Sequence, residues 1–232
     1  MNVPKLSLIV PVFNEEKTVG EVMRRVLAVP FSGWTVEVIV VNDGSTDGTA
    51  SVLDNFASRV TVIHLPQNSG KGSAVKRGLE SAAGDFAIIQ DADLECEPEE
   101  VPRLLEPLRD IAPGTKIAVM GSRESYEKNP KKLLLSRIGA LSITKLVNLL
   151  YGSSLTDVLM CYKLFPKAAF SYFDAGGFES EVLFIARLLK EGYRIAEVPV
   201  SYHPRKGDDG KKMKYRHGLK TIIRLCIFRT TG

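Results

Sequence analysis

Leu6-Ser7-Leu8-Ile9-Val10-Pro11-Val12 is an almost unbroken apolar run, and Val36-Glu37-Val38-Ile39-Val40-Val41 is a second. Runs of this length, rich in β-branched residues and continuous rather than alternating, read as strands covered on both faces. Between them, Glu15 to Val29 places Val19, Val22, Met23, Val26 and Leu27 at helical spacing. Strand, amphipathic helix, strand is the repeating unit of a parallel sheet, and it sets the reading of the rest of the chain.

The unit recurs. The pattern predicts a helix from Thr46 to about Ser58, a strand Val60 to Leu65, a helix from about Ser73 to Ala83 and a strand Phe86 to Gln90. A helix Pro98 to Asp110 and a strand Lys116 to Met120 follow. The expected class is α/β, a mainly parallel sheet with helices on both faces. Beyond Gly121 the pattern changes. A charged loop, Ser122 to Lys132, precedes a long apolar helix from Leu133 to about Leu150. A helix Glu179 to Glu191, a strand Arg194 to Val200 and a polar glycine-containing loop, Gly207 to Lys212, come next.

Composition narrows the class. At 232 residues, 44% hydrophobic and 25% charged, the chain suits one large domain and excludes a disulfide miniprotein, a collagen-like repeat or a disordered tail. The three cysteines, Cys96, Cys161 and Cys226, match neither a disulfide framework nor zinc-ligand spacing, so a reducing, cytoplasmic compartment is expected. The opening MNVPKLSLIVPVF has no basic n-region or cleavage site, so no secretory leader is expected. Arg137 and Lys145 interrupt the most apolar stretch, so no membrane span is expected either.

The net charge of +4 divides unevenly. From His203 to Gly232 there are nine Lys or Arg against two Asp, which leaves 22 basic against 25 acidic residues in 1–202. The positive charge is local to the tail. Nucleic acid would suit such a tail, but no aromatic stacking or groove-binding motif accompanies it, so none is expected.

Three polar clusters follow the strands: Pro11-Val12-Phe13-Asn14-Glu15-Glu16, Asn42-Asp43-Gly44-Ser45-Thr46-Asp47, and Asp91-Ala92-Asp93-Leu94-Glu95. Open α/β sheets bind ligands outside the carboxyl ends of their strands. One acidic turn is an ordinary helix cap. Three along one edge point to a site. Asp91 and Asp93, spaced i, i+2, can jointly approach a hard cation such as Mg²⁺ or Mn²⁺, completed by water and phosphate oxygens. The alternative is a cap for the helix beginning near Pro98. Asn68-Ser69-Gly70-Lys71-Gly72-Ser73 reads either as an anion-cradling loop or as an ordinary glycine turn. It is not a P-loop of the GxxxxGK type, because Leu65 stands where the first glycine is required.

In order and spacing, PVFNEE, VNDGSTDGT, NSGKGSAVKRG, AAGDFAIIQDADLE and GSR resemble a family 2 glycosyltransferase of GT-A fold. Further on, LTDVLMCYKLF, FESEVLFIARLL and IAEVPVSYHPRKGDDGKK resemble the polyprenyl-phosphate and dolichyl-phosphate mannose or glucose synthases. The resemblance runs from about Ser7 to Lys212. It implies a Rossmann-like nucleotide-diphospho-sugar transferase domain over 1–212, followed by a C-terminal helix over 213–232. It also implies an inverting, metal-dependent hexose transfer from GDP-mannose or UDP-glucose to a polyprenyl phosphate. A soluble transferase acting on a saccharide or small-molecule hydroxyl is the alternative. A non-catalytic nucleotide-binding protein is a third reading, opposed by the intact Asp43, Asp91 and Asp93.

By the same resemblance, Pro11, Phe13, Glu15, Asp43, Lys71, Asp91 and Ala92 would bind the nucleotide. Asp91 and Asp93 would hold the metal, with Glu95 a further ligand. Arg123, Arg137 and Arg205 would meet phosphates or acceptor, the plain alternative for each being a solvated charge. Arg205 would close over the leaving group. Three departures stand out: Glu95 where members often carry Gln, Cys161-Tyr162-Lys163 in place of Cys-Gly-Phe-Lys, and Asp209-Gly210-Lys211-Lys212 in place of Gly-x-Ser-Lys.

A lipid phosphate acceptor is already anionic and needs no general base, whereas a hydroxyl needs one. Asp157, Glu179 and Glu181 are the candidates, with helix capping the alternative for the two glutamates. His203 reads as a metal ligand or an exposed side chain. In the tail, Leu219, Ile222, Ile223 and Cys226 recur at i, i+3, i+4, i+7, and Arg216, Lys220 and Arg224 form a basic stripe. Such a helix lies in an anionic membrane surface or packs against its own domain, and peripheral contact with a cytoplasmic membrane face follows from the first.

Overall fold

The computed structural model describes residues 3–109, 111–112, 114–127, 129, 134–205 and 215–231. Its elements, in chain order, are β1 (Lys5–Val12), α1 (Val19–Ala28), β2 (Thr35–Asn42), α2 (Thr49–Asp54), β3 (Thr61–His64), α3 (Lys71–Ser81) and β4 (Phe86–Ile89). Then come α4 (Val101–Leu105), β5 (Ile117–Ser122), α5 (Leu134–Tyr151), β6 (Lys163–Pro166), α6 (Glu179–Lys190), β7 (Arg194–Pro199) and α7 (Tyr215–Thr231). The seven strands form one sheet in the order β3-β2-β1-β4-β6-β5-β7. Pairing is parallel throughout except along β6, which runs antiparallel to both β4 and β5.

Both faces are covered, as the continuous apolar strands require. Leu6, Leu8, Val10 and Val12 of β1 pack with Val22, Met23 and Val26 of α1 and with Val101, Leu104 and Leu105 of α4. Ile9, on the opposite pleat, joins Ile39, Val41 and Ile89 against Ala74, Val75 and Leu79 of α3. That second layer continues through Val182, Phe184, Ile185 and Leu188 of α6 and ends on Ile143 and Val147 of α5 and Leu225 of α7. Each large side chain so buried contributes about 1.5–3 kcal/mol.

The expected α/β architecture is the observed one, and several boundaries moved for identifiable reasons. The helix expected over Thr46 to Ser58 is confined to α2, where the Asp47 carboxylate accepts the Thr49 amide and starts the helix late. The helix expected over Pro98 to Asp110 is broken into α4 flanked by two 3₁₀ turns, because Pro98, Pro102 and Pro107 each lack an N–H to donate. Strand β6 and the 3₁₀ segment Lys167–Tyr172 were not anticipated. The polar loop 207–212 lies outside the described residues.

The chain visits β1, β2 and β3 on one side and then returns to place β4 on the other side of β1. The carboxyl ends of β1 and β4 therefore flank a switch point, where such sheets hold their ligands.

Candidate active site

The three acidic clusters meet at that edge, and each is tied to its neighbour. Asn14, with φ of 52°, accepts the Thr46 amide at 2.8 Å and donates its own amide to Ser45 Oγ at 3.0 Å. This joins the loop after β1 to the loop after β2. Asp43 is buried, and its two oxygens each accept one backbone amide, from Ser69 and from Gly70, both at 2.8 Å. Burial outweighs those bonds and raises its pKa above the ordinary value. Gly44 makes this turn possible: its φ is +65°, and a Cβ there would lie 2.4 Å from the Gln67 backbone. The turn at 68–70 is thus hung from the β2 loop by Asp43, and it delivers Lys71 to the start of α3.

Lys71 carries the connection inward. Its ammonium lies 2.6 Å from Asp91 and 2.7 Å from Glu181 of α6. Burial opposes its charge, but Asp91 and Glu181 prevail and hold it protonated. Glu181 also pairs at 2.9 Å with Lys163 of β6, which is 1% exposed. Burial would raise Glu181, and the two lysines together depress it instead. Two lysines and two carboxylates form a closed set beneath the site, Asp91 being its outer member.

Asp93 is placed differently. Its carboxyl accepts the Glu95 amide at 3.0 Å. Burial first, and then the neighbouring Asp91 and Glu95, push its pKa up to about 7. Such crowding of negative charge is what a divalent cation relieves. Glu95 is engaged elsewhere: its carboxylate accepts the Tyr202 hydroxyl at 2.8 Å and the Arg205 amide at 3.2 Å. Among the described residues no group of three or more His, Cys, Asp or Glu stands in a metal-holding arrangement. Asp91 and Asp93 nevertheless fit an ion of the Mg²⁺ type, which takes one or two carboxylates and draws its remaining oxygens from water and phosphate.

Arg205 closes the edge, its guanidinium 2.6 Å from Glu15 while its amide holds Glu95. The first and third clusters are thereby bridged by a cation. Pro11 is buried near the end of β1, Phe13 is half-buried just after it, and Ala92 is buried between the two aspartates.

The other candidates lie apart from this cluster. Arg123 forms a bidentate pair with Asp157, Nε to Oδ2 at 2.6 Å and Nη2 to Oδ1 at 2.8 Å. Its guanidinium lies 4.9 Å from the centre of the Tyr202 ring, which in turn bonds Glu95. Two residues with separate expected roles are partners of each other. Arg137 is half-exposed on α5 and pairs with Glu124 at 3.2 Å. Glu179, 2% exposed, meets Lys220 at 2.7 Å and Arg224 at 3.2 Å on α7. His203 is exposed and bonds Glu97 at 2.9 Å.

Two contributors were not among the expected site residues. Gln90 accepts the Tyr162 hydroxyl at 2.8 Å in the core and fixes the end of β4, from which Asp91 projects. Lys163 looks like a surface residue in the sequence because its counter-ion is 18 positions away on another element.

The model of the family described as "Glycosyl transferase family 2" matches residues 7–173. The chain belongs to glycosyl transferase family 2. A dolichyl-phosphate beta-glucosyltransferase of Trichomonas vaginalis is 29% identical over 98% of this chain and 74% of its own length. An undecaprenyl-phosphate 4-deoxy-4-formamido-L-arabinose transferase of Sodalis glossinidius is 39% identical over 46% of this chain and 34% of its own. Glucosyl-3-phosphoglycerate synthase from Mycobacterium tuberculosis, crystallised with Mn²⁺, uridine diphosphate and phosphoglyceric acid, shares the fold. Its TM-score is 0.74 at 22% identity, covering 96% of this chain and 78% of that one. The family 2 chain is thus a glycosyltransferase whose expected GT-A fold is the observed one.

Proposed function

We propose that this glycosyltransferase moves a hexose, with inversion at the anomeric carbon, from a nucleoside-diphosphate sugar to a polyprenyl phosphate. The observation that carries the acceptor class is the state of the three candidate general bases. Asp157 is locked to Arg123, Glu179 to Lys220 and Arg224, and Glu181 to Lys71 and Lys163. A carboxylate neutralised by such a pair is a poor proton acceptor, so an acceptor that is already anionic suits this site better than a hydroxyl. The names of the relatives point the same way on the acceptor, and that of the glucosyltransferase favours glucose over mannose as the sugar.

In this reading Pro11, Phe13, Glu15 and Asp43 line the base and ribose pocket, with Asp43 also setting the 68–70 turn. Asp91 and Asp93 hold a Mg²⁺ or Mn²⁺ ion, which when bound supplies positive charge for the departing diphosphate. Lys71 pairs with Asp91 and orients it. Arg205 adds a second positive charge at the mouth, released from Glu15 as phosphate oxygens arrive. Glu95 holds the Arg205 backbone, and Arg123 steadies Glu95 through Tyr202. Arg137, exposed on α5, is assigned to the acceptor's phosphate.

The lipid is reached from the surface. Among the described residues no helix is long and apolar enough to cross a membrane. Helix α7 divides the apolar stripe expected in the tail. Leu225 is buried in the core and Ile222 packs against it, while Leu219, Ile223 and Ile227 are exposed. The outward stripe is assigned to an anionic bilayer.

The test is a transfer assay with UDP-glucose and GDP-mannose, each with Mn²⁺ or Mg²⁺, against a polyprenyl phosphate and a set of sugar hydroxyls. Metal-dependent glycosylation of the lipid phosphate is expected. Transfer to hydroxyls with none to lipid would replace the acceptor assignment, and no turnover of either donor would end the reading.

A further inference from the structure

Cys96 and Cys161 are 65 residues apart in the chain and meet in the core with their sulfurs 3.1 Å apart. Both are free thiols, 3% and 6% exposed. Their positions give the contact its interest. Cys96 directly follows Glu95, and Asp93 lies three residues before it. Cys161 precedes Tyr162, whose hydroxyl holds Gln90 and whose carbonyl accepts the Gly121 amide at 3.0 Å. One sulfur therefore sits on the acidic loop and the other on a segment stitched to the sheet.

We propose that Cys96 and Cys161 form a reversible disulfide that disarms the donor site under oxidation by a peroxide. One thiolate attacks the peroxide: an S–O bond forms as the O–O bond breaks, and hydroxide leaves to take up a proton. The second thiol then displaces the sulfenic oxygen, an S–S bond forming as the S–O bond breaks. Two thiols and one hydrogen peroxide give one disulfide and two waters. Only a small oxidant suits sulfurs this well covered, and the nearby partner captures the sulfenic acid before further oxidation.

The consequence is geometric. A disulfide needs its sulfurs at about 2.05 Å, so they must approach by on the order of 1 Å. The side that yields is the acidic loop. Leu94 there already adopts φ of 60°, a left-handed conformation uncommon outside glycine, and residues 92–96 form bends rather than strand. The Cys161 side is held by β6 pairing with β4 and β5. Displacement of Glu95 and Asp93 by that amount lowers transfer by about tenfold or more, since a positioned group misplaced by about 1 Å costs up to about 100-fold.

The activity consequence rests on the function proposed above; the bond itself does not. The test uses the full chain with Cys226→Ser, which removes the exposed thiol on α7. After hydrogen peroxide, peptide mapping without reductant is expected to show Cys96 joined to Cys161, with no alkylatable thiol left, and dithiothreitol is expected to restore both. Nucleotide binding, measured by calorimetry with UDP and Mn²⁺, is expected to weaken on oxidation, and to be unmoved by oxidant in a chain that also carries Cys161→Ser. Thiols that stay alkylatable, or that go singly to sulfinic acid, would overturn the disulfide. A crosslinked chain that binds nucleotide as well as the reduced one would overturn the disarming. A reduced chain that binds no nucleotide would count against the proposed function and leave the mapped bond standing.

Discussion

The donor edge and the tail helix both carry clustered charge, and they handle it in opposite ways. At the ends of β1, β2 and β4 the charges are buried or half-buried and closed on one another: Lys71 between Asp91 and Glu181, Lys163 on Glu181, Arg205 on Glu15. On α7 the cations Lys220 and Arg224 are roughly half-exposed, and they share one acidic partner, Glu179, on the domain. Buried pairs fix geometry, because breaking one strands an uncompensated charge. Exposed pairs contribute little to stability and remain available to solvent or a surface. The first region is built to hold a shape and the second to stay adaptable.

The difference can be broken at its strongest point first. Asp93→Ala is expected to reduce transfer by about 100-fold or more, the usual cost of removing one preorganised electrostatic group, while leaving the thermal midpoint nearly unchanged. An assay of initial rates alongside calorimetry checks both halves. Glu181→Ala should do the reverse in emphasis: it leaves Lys71 and Lys163 buried without their shared partner and is expected to cost about 3–5 kcal/mol in denaturant unfolding. Stability within about 1 kcal/mol of the parent would show that the buried set is not what holds this edge.

Acid sharpens the comparison at the tail. Burial alone would raise Glu179, but bonds from Lys220 and backbone amides lower it below the ordinary carboxylate value. The pair therefore contributes fully above that ordinary value and is lost as pH falls through the lowered one. Protection factors for hydrogen exchange over 215–231, corrected for the intrinsic rate, are expected to fall as pH drops below the ordinary carboxylate value, while β1 and β4 stay protected. The effect is at most about 1 kcal/mol, because Lys220 is exposed to screening solvent. The smallest change in stability is expected for Ile223→Glu, within about 0.5 kcal/mol, since its side chain faces outward. The same variant is expected to weaken flotation with anionic liposomes, and unchanged flotation would remove α7 from the membrane reading.

Much of the fold was legible because the apolar runs of β1 and β2 and the helical spacing of α1 are local signals. So were the three clusters, whose positions follow from strand ends. What was not legible depends on partners distant in the chain. Strand β6, Lys163–Pro166, contains a lysine and a proline and looks unlike a strand until Glu181 is seen to neutralise that lysine. Nothing in the spacing of Arg123 and Asp157 shows the fork between them. Cys96 and Cys161 read as isolated thiols for the same reason. The helix expected from Pro98 is cut short by Pro102 and Pro107, a signal the sequence does contain.

The carboxylates at the end of β4 are assigned as the place where a cation and the donor's diphosphate are held together. Calorimetric titration of UDP into the chain, with and without Mn²⁺, tests it most directly. Binding is expected to require the ion and to be lost in Asp93→Ala. Binding of equal strength without the ion, or unaltered by that substitution, would contradict it.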